Sequence, residues 1–241
     1  MTTWTPRALA SEARAYGREL WRVVEAQHTA STMRLSDSLE EQAVLETVLE
    51  ESKPPLPPAV RRLHYLLATP YRYRPHIGSR FRAALEPGVW YGAEMLRTAL
   101  AEKSYWRLRF LLDSPGTPEL KPVPHTAFRA GVRSRAAIDL TRAPLARDRA
   151  LWMHPSSYLD TQTLATAARE AHIQLLRYES VRDPQHAACV AVLDPAAFGR
   201  GKPHALETWF IAAGRERVRC ALQGSDVPRF EFMAAQLLGG A

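Results

Sequence analysis

The chain has 241 residues, 46% of them hydrophobic and 24% charged, which fits one sizeable globular domain able to bury a core. Its 32 Lys and Arg, almost all arginine, against 25 Asp and Glu give a net charge of +7, suited to an anionic partner such as a phosphate-bearing metabolite, nucleic acid or an acidic protein. No apolar run approaches the roughly 18 residues that span a bilayer, and residues 1–10 lack the basic-then-apolar layout of a secretory signal, so the cytoplasm is the expected compartment and no membrane partner is expected.

From the N-terminus, Pro6 and the apolar series Leu9, Ala13, Leu20, Val23 and Val24 predict a helix over residues 6–28. Ser36-Asp37-Ser38 offers a cap for a second helix to about Glu50, which the run Lys53-Pro54-Pro55-Leu56-Pro57-Pro58 then ends. Residues 1–53 are therefore expected to form an N-terminal helical extension, with the main domain at 54–241. A short helix over 60–67 leads into Thr69–Tyr73, read as extended. Aromatic and β-branched residues at 89–93 predict a strand feeding directly into a helix over 94–111. Strands are expected at 126–132 and 136–140, a helix from Ser156 or Ser157 to about His172, and further strands at 173–178, 187–193, 207–211 and 216–222. Irregular interleaving of strands and helices predicts an α+β fold with a mixed or antiparallel sheet core and flanking helices.

On the 94–111 helix, Met95, Ala99, Glu102, Trp106 and Phe110 share one face. A carboxylate facing a core is costly unless paired, hydrogen-bonded or set in a cleft. Glu102 is thus either a boundary residue pairing with Lys103 or Arg109, or a group lining a cavity. Tyr71-Arg72-Tyr73 and Gly78-Ser79-Arg80-Phe81 place two arginines in aromatic settings, and a guanidinium fork suits a pyrophosphate. Neither G-x-G-x-x-G nor G-x-x-x-x-G-K-S/T occurs, which argues against a Rossmann or P-loop site. Cys189 and Cys220 have no Cys or His at metal spacing, so no metal is expected and both read as small buried hydrophobes.

Taken in order, Thr69–Tyr73, Gly78–Phe81, Val89-Trp90-Tyr91-Gly92-Ala93 and Thr98-Ala99-Leu100-Ala101-Glu102, with Leu176–Arg182 downstream, resemble the successive motifs of the RES-domain family over roughly residues 60–215. Arg80, Tyr91 and Glu102 stand eleven residues apart in each step. Glu179 stands where that family often has proline, and Asp183-Pro184-Gln185-His186 where a loop bearing glycine and asparagine is common.

The resemblance implies an ADP-ribosyltransferase-like core and a toxin of a toxin–antitoxin pair that consumes NAD⁺ as substrate, without a further cofactor. The nicotinamide–ribose bond would break by hydrolysis, phosphorolysis or ADP-ribose transfer. It implies Arg80 and Arg72 on the pyrophosphate, Tyr91 against the nicotinamide or its ribose, Glu102 facing that ribose, and Ser180 orienting the ribose or a neighbouring arginine. It also implies a helix-turn-helix antitoxin as protein partner, with no direct contact to nucleic acid. Two other readings stay open: a non-enzymatic, arginine-rich binder of nucleic acid or an acidic protein, and a housekeeping transferase. For residues 1–53 three roles remain: part of the helical wall, an antitoxin-binding surface, or a homo-oligomer contact.

Overall fold

The computed structural model describes residues 4–26, 38–225, 227 and 229–239. It begins with α1 (Pro6–Ser11), whose first turn is capped by the Thr5 side chain, and passes at once into β1 (Arg14–Glu25). The expected helix over 6–28 therefore stops at Ser11, and its positions 27 and 28 lie outside the described residues. Leu20, Val23 and Val24 satisfy a helical spacing and a strand equally well. What decides is that Leu20 and Trp21 are both buried, on two different core clusters. That is the signature of a strand covered on both faces.

The next element, α2 (Leu39–Glu51), matches the second predicted helix, with Ser38 Oγ accepting from the Glu41 N–H at 3.1 Å; Ser36 and Asp37 lie outside the described residues. Glu40 and Glu41 sit in its first turn, where the helix dipole favours them, and the proline run follows its end. Leu39, Val44, Val48 and Leu49 on this helix are exposed. Then comes α3 (Tyr65–Arg72), which runs through Pro70, so Thr69–Arg72 are helical rather than extended. Tyr71 explains why: its ring is buried and its hydroxyl donates to the Val192 carbonyl at 3.0 Å, holding that last turn against the sheet. Gly88 closes this region. A Cβ there would lie 1.8 Å from the Pro70 carbonyl oxygen, so only glycine lets the chain pass α3.

The remaining elements are β2 (Trp90–Ala93), α4 (Leu96–Leu112), β3 (Leu120–Asp139), α5 (Arg149–Trp152), α6 (Leu159–Glu170), β4 (Leu175–Glu179), β5 (Ala188–Val192), β6 (His204–Ala213), β7 (Arg217–Leu222), β8 (Phe230–Met233) and α7 (Ala234–Leu238). The two strands predicted at 126–132 and 136–140 are one long strand, β3. The helix predicted from Ser156 or Ser157 starts at Leu159 behind Tyr158, without a side-chain cap. The last two elements, β8 and α7, carry too short a pattern for sequence reading to find.

Among the described residues eight strands run in the order β1-β2-β5-β4-β3-β6-β7-β8, and β1 also pairs with β3. Every pairing is antiparallel except β3 with β4, so the fold is α+β with a mixed, mostly antiparallel sheet, as predicted. Because β1 reaches β2 at Trp21↔Ala93 and β3 along Arg14–Glu25, the strands β1, β2, β5, β4 and β3 form a closed circuit. Residues 14–25 are thus central to the domain, and the boundary expected at 53 does not separate an extension from it.

Candidate active site

On α4 the buried positions are Ala101, Ser104, Leu108 and Leu111, spaced three and four apart, together with Thr98, Ala99 and Leu100. Met95, Trp106 and Phe110 are exposed, so the face expected to meet the core does not, apart from Ala99. The helix is turned so that Glu102 falls at the border between core and solvent. There it pairs with neither Lys103 nor Arg109; Arg109 is engaged with Asp113 at 3.2 Å. Glu102 instead looks into an open-mouthed cavity of about 210 Å³.

Arg80, from the loop between α3 and β2, and Tyr91, on β2, line the same cavity. In β2 side chains alternate faces, so Trp90 enters the core beneath α3 while Tyr91 turns to the cavity. The Tyr91 hydroxyl is tied to Ser79 Oγ at 2.8 Å and accepts from the Phe81 N–H at 3.0 Å, which fixes the ring as a wall. Burial raises its pKa, so the phenol stays neutral at physiological pH. Arg80 is buried; its Nη1 donates to the carbonyls of Trp152 (2.8 Å) and His154 (3.1 Å), and its guanidinium lies 4.8 Å from the centre of the Tyr158 ring.

Ser180 stands behind Glu102. Fully buried, its Oγ donates to Glu102 Oε1 at 2.6 Å and accepts from the N–H groups of Arg182 (3.2 Å) and Asp183 (2.9 Å). One hydroxyl thus shapes the turn after β4 and orients the carboxylate. Burial raises the Glu102 pKa, opposed by the Ser180 hydrogen bond and by the charges of Arg80 and Arg182. Cys189 Sγ lies 4.0 Å from the same carboxylate oxygen. Both cysteines are buried free thiols, as expected.

The sequence profile of the RES domain matches residues 56–211. The chain belongs to the RES-domain family. No curated protein matches it. Among solved structures it is similar to a chain of the crystal structure of the M. tuberculosis MbcT-MbcA toxin-antitoxin complex, at 13% identity over 95% of this chain and 90% of that chain, with a TM-score of 0.49.

Within this RES domain, Arg72 is not at the cavity. Its Nη1 is 2.7 Å from Glu50 and its Nε donates to the Pro54 carbonyl at 2.5 Å, so it fastens the segment after α2 to α3. Two arginines that sequence reading passed over are there instead. Arg22, on β1, donates from Nη1 to the Tyr91 carbonyl at 2.7 Å, while its buried Nε has no hydrogen-bond partner among the described residues. Burial brings its pKa down to about 10, still charged at neutral pH. Arg182 stacks 3.7 Å from the centre of the Tyr105 ring and donates to the Pro155 and Leu237 carbonyls. Lys103, Tyr105, Trp106 and Tyr158 also line the cavity.

The two departures from the family pattern are accommodated locally. Glu179 pairs with Arg149 at 2.5 Å. Buried Asp183 accepts from Thr98 Oγ1 at 2.8 Å and pairs with Arg97, locking the turn onto α4. His186 is exposed and its ring nitrogen contacts the Ser180 carbonyl at 2.8 Å, so it supplies no polar contact to the cavity.

Proposed function

We propose that this RES domain cleaves the bond between nicotinamide and ribose in NAD⁺, with Glu102 as the group that stabilises the sugar cation. The observation carrying this reading is the shared cavity of Arg80, Tyr91 and Glu102, brought from a loop, a strand and a helix. As the C1′–N bond breaks, its electron pair leaves with the neutral nicotinamide, and positive charge gathers on the ribose. A fixed carboxylate held in a largely apolar cavity favours that state more than the ground state. Because the leaving group departs neutral, no strong general acid is required. An acceptor oxygen then bonds to C1′; with water the products are nicotinamide, ADP-ribose and a proton.

In this scheme Tyr91 forms the wall against the nicotinamide, and Ser180 acts through Glu102 as a positioning residue. Arg22 takes the pyrophosphate role that the family resemblance implied for Arg72, beside Arg80. The same reading makes the protein the toxin of a toxin–antitoxin pair acting on the cytoplasmic NAD⁺ pool, held in check by a helix-turn-helix antitoxin. No helix among the described residues is long and apolar enough to cross a membrane.

The test is incubation of the pure protein with NAD⁺ and chromatographic assay of free nicotinamide. Release by the wild type that disappears in Glu102→Gln is expected. No release by a folded wild type, with steeply salt-dependent nucleic-acid binding in its place, would sink the proposal.

A further inference from the structure

A groove of about 480 Å³ lies along β1 and β3 and shares no lining residue with the cavity of Glu102. The strand register sets Gly17 opposite Arg133, Arg18 opposite Val132 and Glu19 opposite Gly131. The Gly199 N–H donates to the Gly131 carbonyl at 3.2 Å, which holds the segment after β5 alongside β3 and brings Arg200 to the groove. Arg18, Arg133 and Arg200 thus surround Gly17, Gly131 and Gly199. These arginines are exposed, and among the described residues no ion pair or side-chain hydrogen bond engages them. The carboxylate lining the groove, Glu19, folds over Gly131, where a Cβ would lie 2.9 Å from its Oε1, and reaches His204 Nε2 at 3.1 Å. Exposed Arg61, Arg62 and Lys202 extend the positive charge, because the His64 N–H donates to the Gly201 carbonyl at 2.7 Å and ties their two segments together.

Cations gathered without counter-charges attract a polyanion, and the lining chooses among polyanions. An acidic protein would need an apolar anchor at the centre of its interface. Val132, the apolar lining residue, is buried, and nothing in the groove is an exposed large hydrophobic. A single nucleic-acid strand would need aromatic faces on which to stack its bases, and no aromatic residue lines the groove. A duplex backbone needs only cations and close approach. That approach is open: a Cβ on Gly17 would meet its nearest atom at 4.0 Å, and one on Gly199 would meet nothing within 4 Å. We infer that this groove binds the phosphate backbone of a nucleic-acid duplex without reading its sequence. The resemblance to the RES family implied no such contact, and the site stands independently of NAD⁺ cleavage.

The test is fluorescence anisotropy with labelled DNA and RNA duplexes of random sequence over a range of salt concentrations. In the triple variant Arg18→Gln, Arg133→Gln, Arg200→Gln, affinity at low salt should fall by about tenfold or more, and the slope of log K against log salt by about one per arginine removed. The control triple Arg109→Gln, Arg215→Gln, Arg219→Gln makes the same change in net charge outside the groove and should keep the wild-type slope. Nicotinamide release and circular dichroism should be unchanged in the groove variant. If that triple fails to fold, Arg200→Gln alone, in an exposed loop, should still lower the slope by about one. Equal losses in the two triples would reduce binding to net charge and overturn the site. Binding of neither duplex by the wild type, or tighter binding of polyglutamate than of both, would overturn it as well.

Discussion

The Glu102 carboxylate accepts a hydrogen bond from Ser180, and burial pushes its pKa up more than that bond and the charges of Arg80 and Arg182 pull it down. The ionised form is the one that steadies a sugar cation, so the acid limb of kcat/KM should lie above the ordinary carboxylate pKa of about 4.3, activity falling as pH drops through the raised value. Stability runs the other way. A carboxyl with a raised pKa holds its proton more tightly folded than unfolded, so the fold loses stability as pH rises from the unfolded pKa through the folded one. Glu102→Gln, which keeps the acceptor for Ser180, should raise Tm at pH 7 while lowering the rate of nicotinamide release at least about 100-fold; a lower Tm with activity retained would contradict both halves. Ser180→Ala orphans two buried N–H groups and should cost about 1–3 kcal/mol in urea unfolding. It also removes a hydrogen bond to the ionised carboxylate, so the acid limb should move to higher pH, which a merely structural loss would not do. The resemblance to the RES-domain motifs made Arg80, Tyr91 and Glu102 legible in the sequence. Arg72 and Arg22 were not, because an aromatic neighbourhood does not say which way a guanidinium points, and because Arg22 sits in a segment whose apolar spacing suits helix and strand alike.

At the scale of elements, α4 shows how a helix can be found and still be turned wrongly. Its position was readable from residues 94–111, yet both Met95-Ala99-Trp106-Phe110 and Ala101-Ser104-Leu108-Leu111 have helical spacing, and the larger side chains drew the choice. The structure buries the smaller set where α4 packs against β1, while Trp106, largely exposed, lines the cavity. Leu108 is fully buried and Phe110 is 64% exposed. Leu108→Ala should therefore cost about 2–5 kcal/mol, whereas Phe110→Ala should change stability by no more than about 0.5 kcal/mol. Urea denaturation of the two variants decides it; comparable losses would restore the orientation the sequence suggested. Strand β3 posed a different problem. Its pairing with β1, β4 and β6 is long-range, and no local pattern reports that two apparent strands are one.

For the whole molecule, the closure of β1 between β2 and β3 changes what counts as the domain. The sequence placed the boundary near the proline run, and the family profile likewise begins at residue 56, after β1 and α2. Both follow motif density, which is low in Arg14–Glu25 because that strand is specified by burial on two faces rather than by turn or cap signals. Its contribution is nevertheless large: it pairs with β3 from Arg14 to Glu25, buries Leu20, Trp21 and Val23, and carries Arg22 to the cavity that Glu102 faces. Removing it would expose the edges of β2 and β3 together with both core clusters, and an uncovered apolar sheet edge invites aggregation. A fragment of residues 54–241, which contains every residue of the original site assignment, should therefore be insoluble or lack a cooperative thermal transition, while the full chain unfolds in one step. If that fragment folds and releases nicotinamide at the full-length rate, residues 14–25 are dispensable, and neither Arg22 nor the closed strand circuit has the part assigned to it.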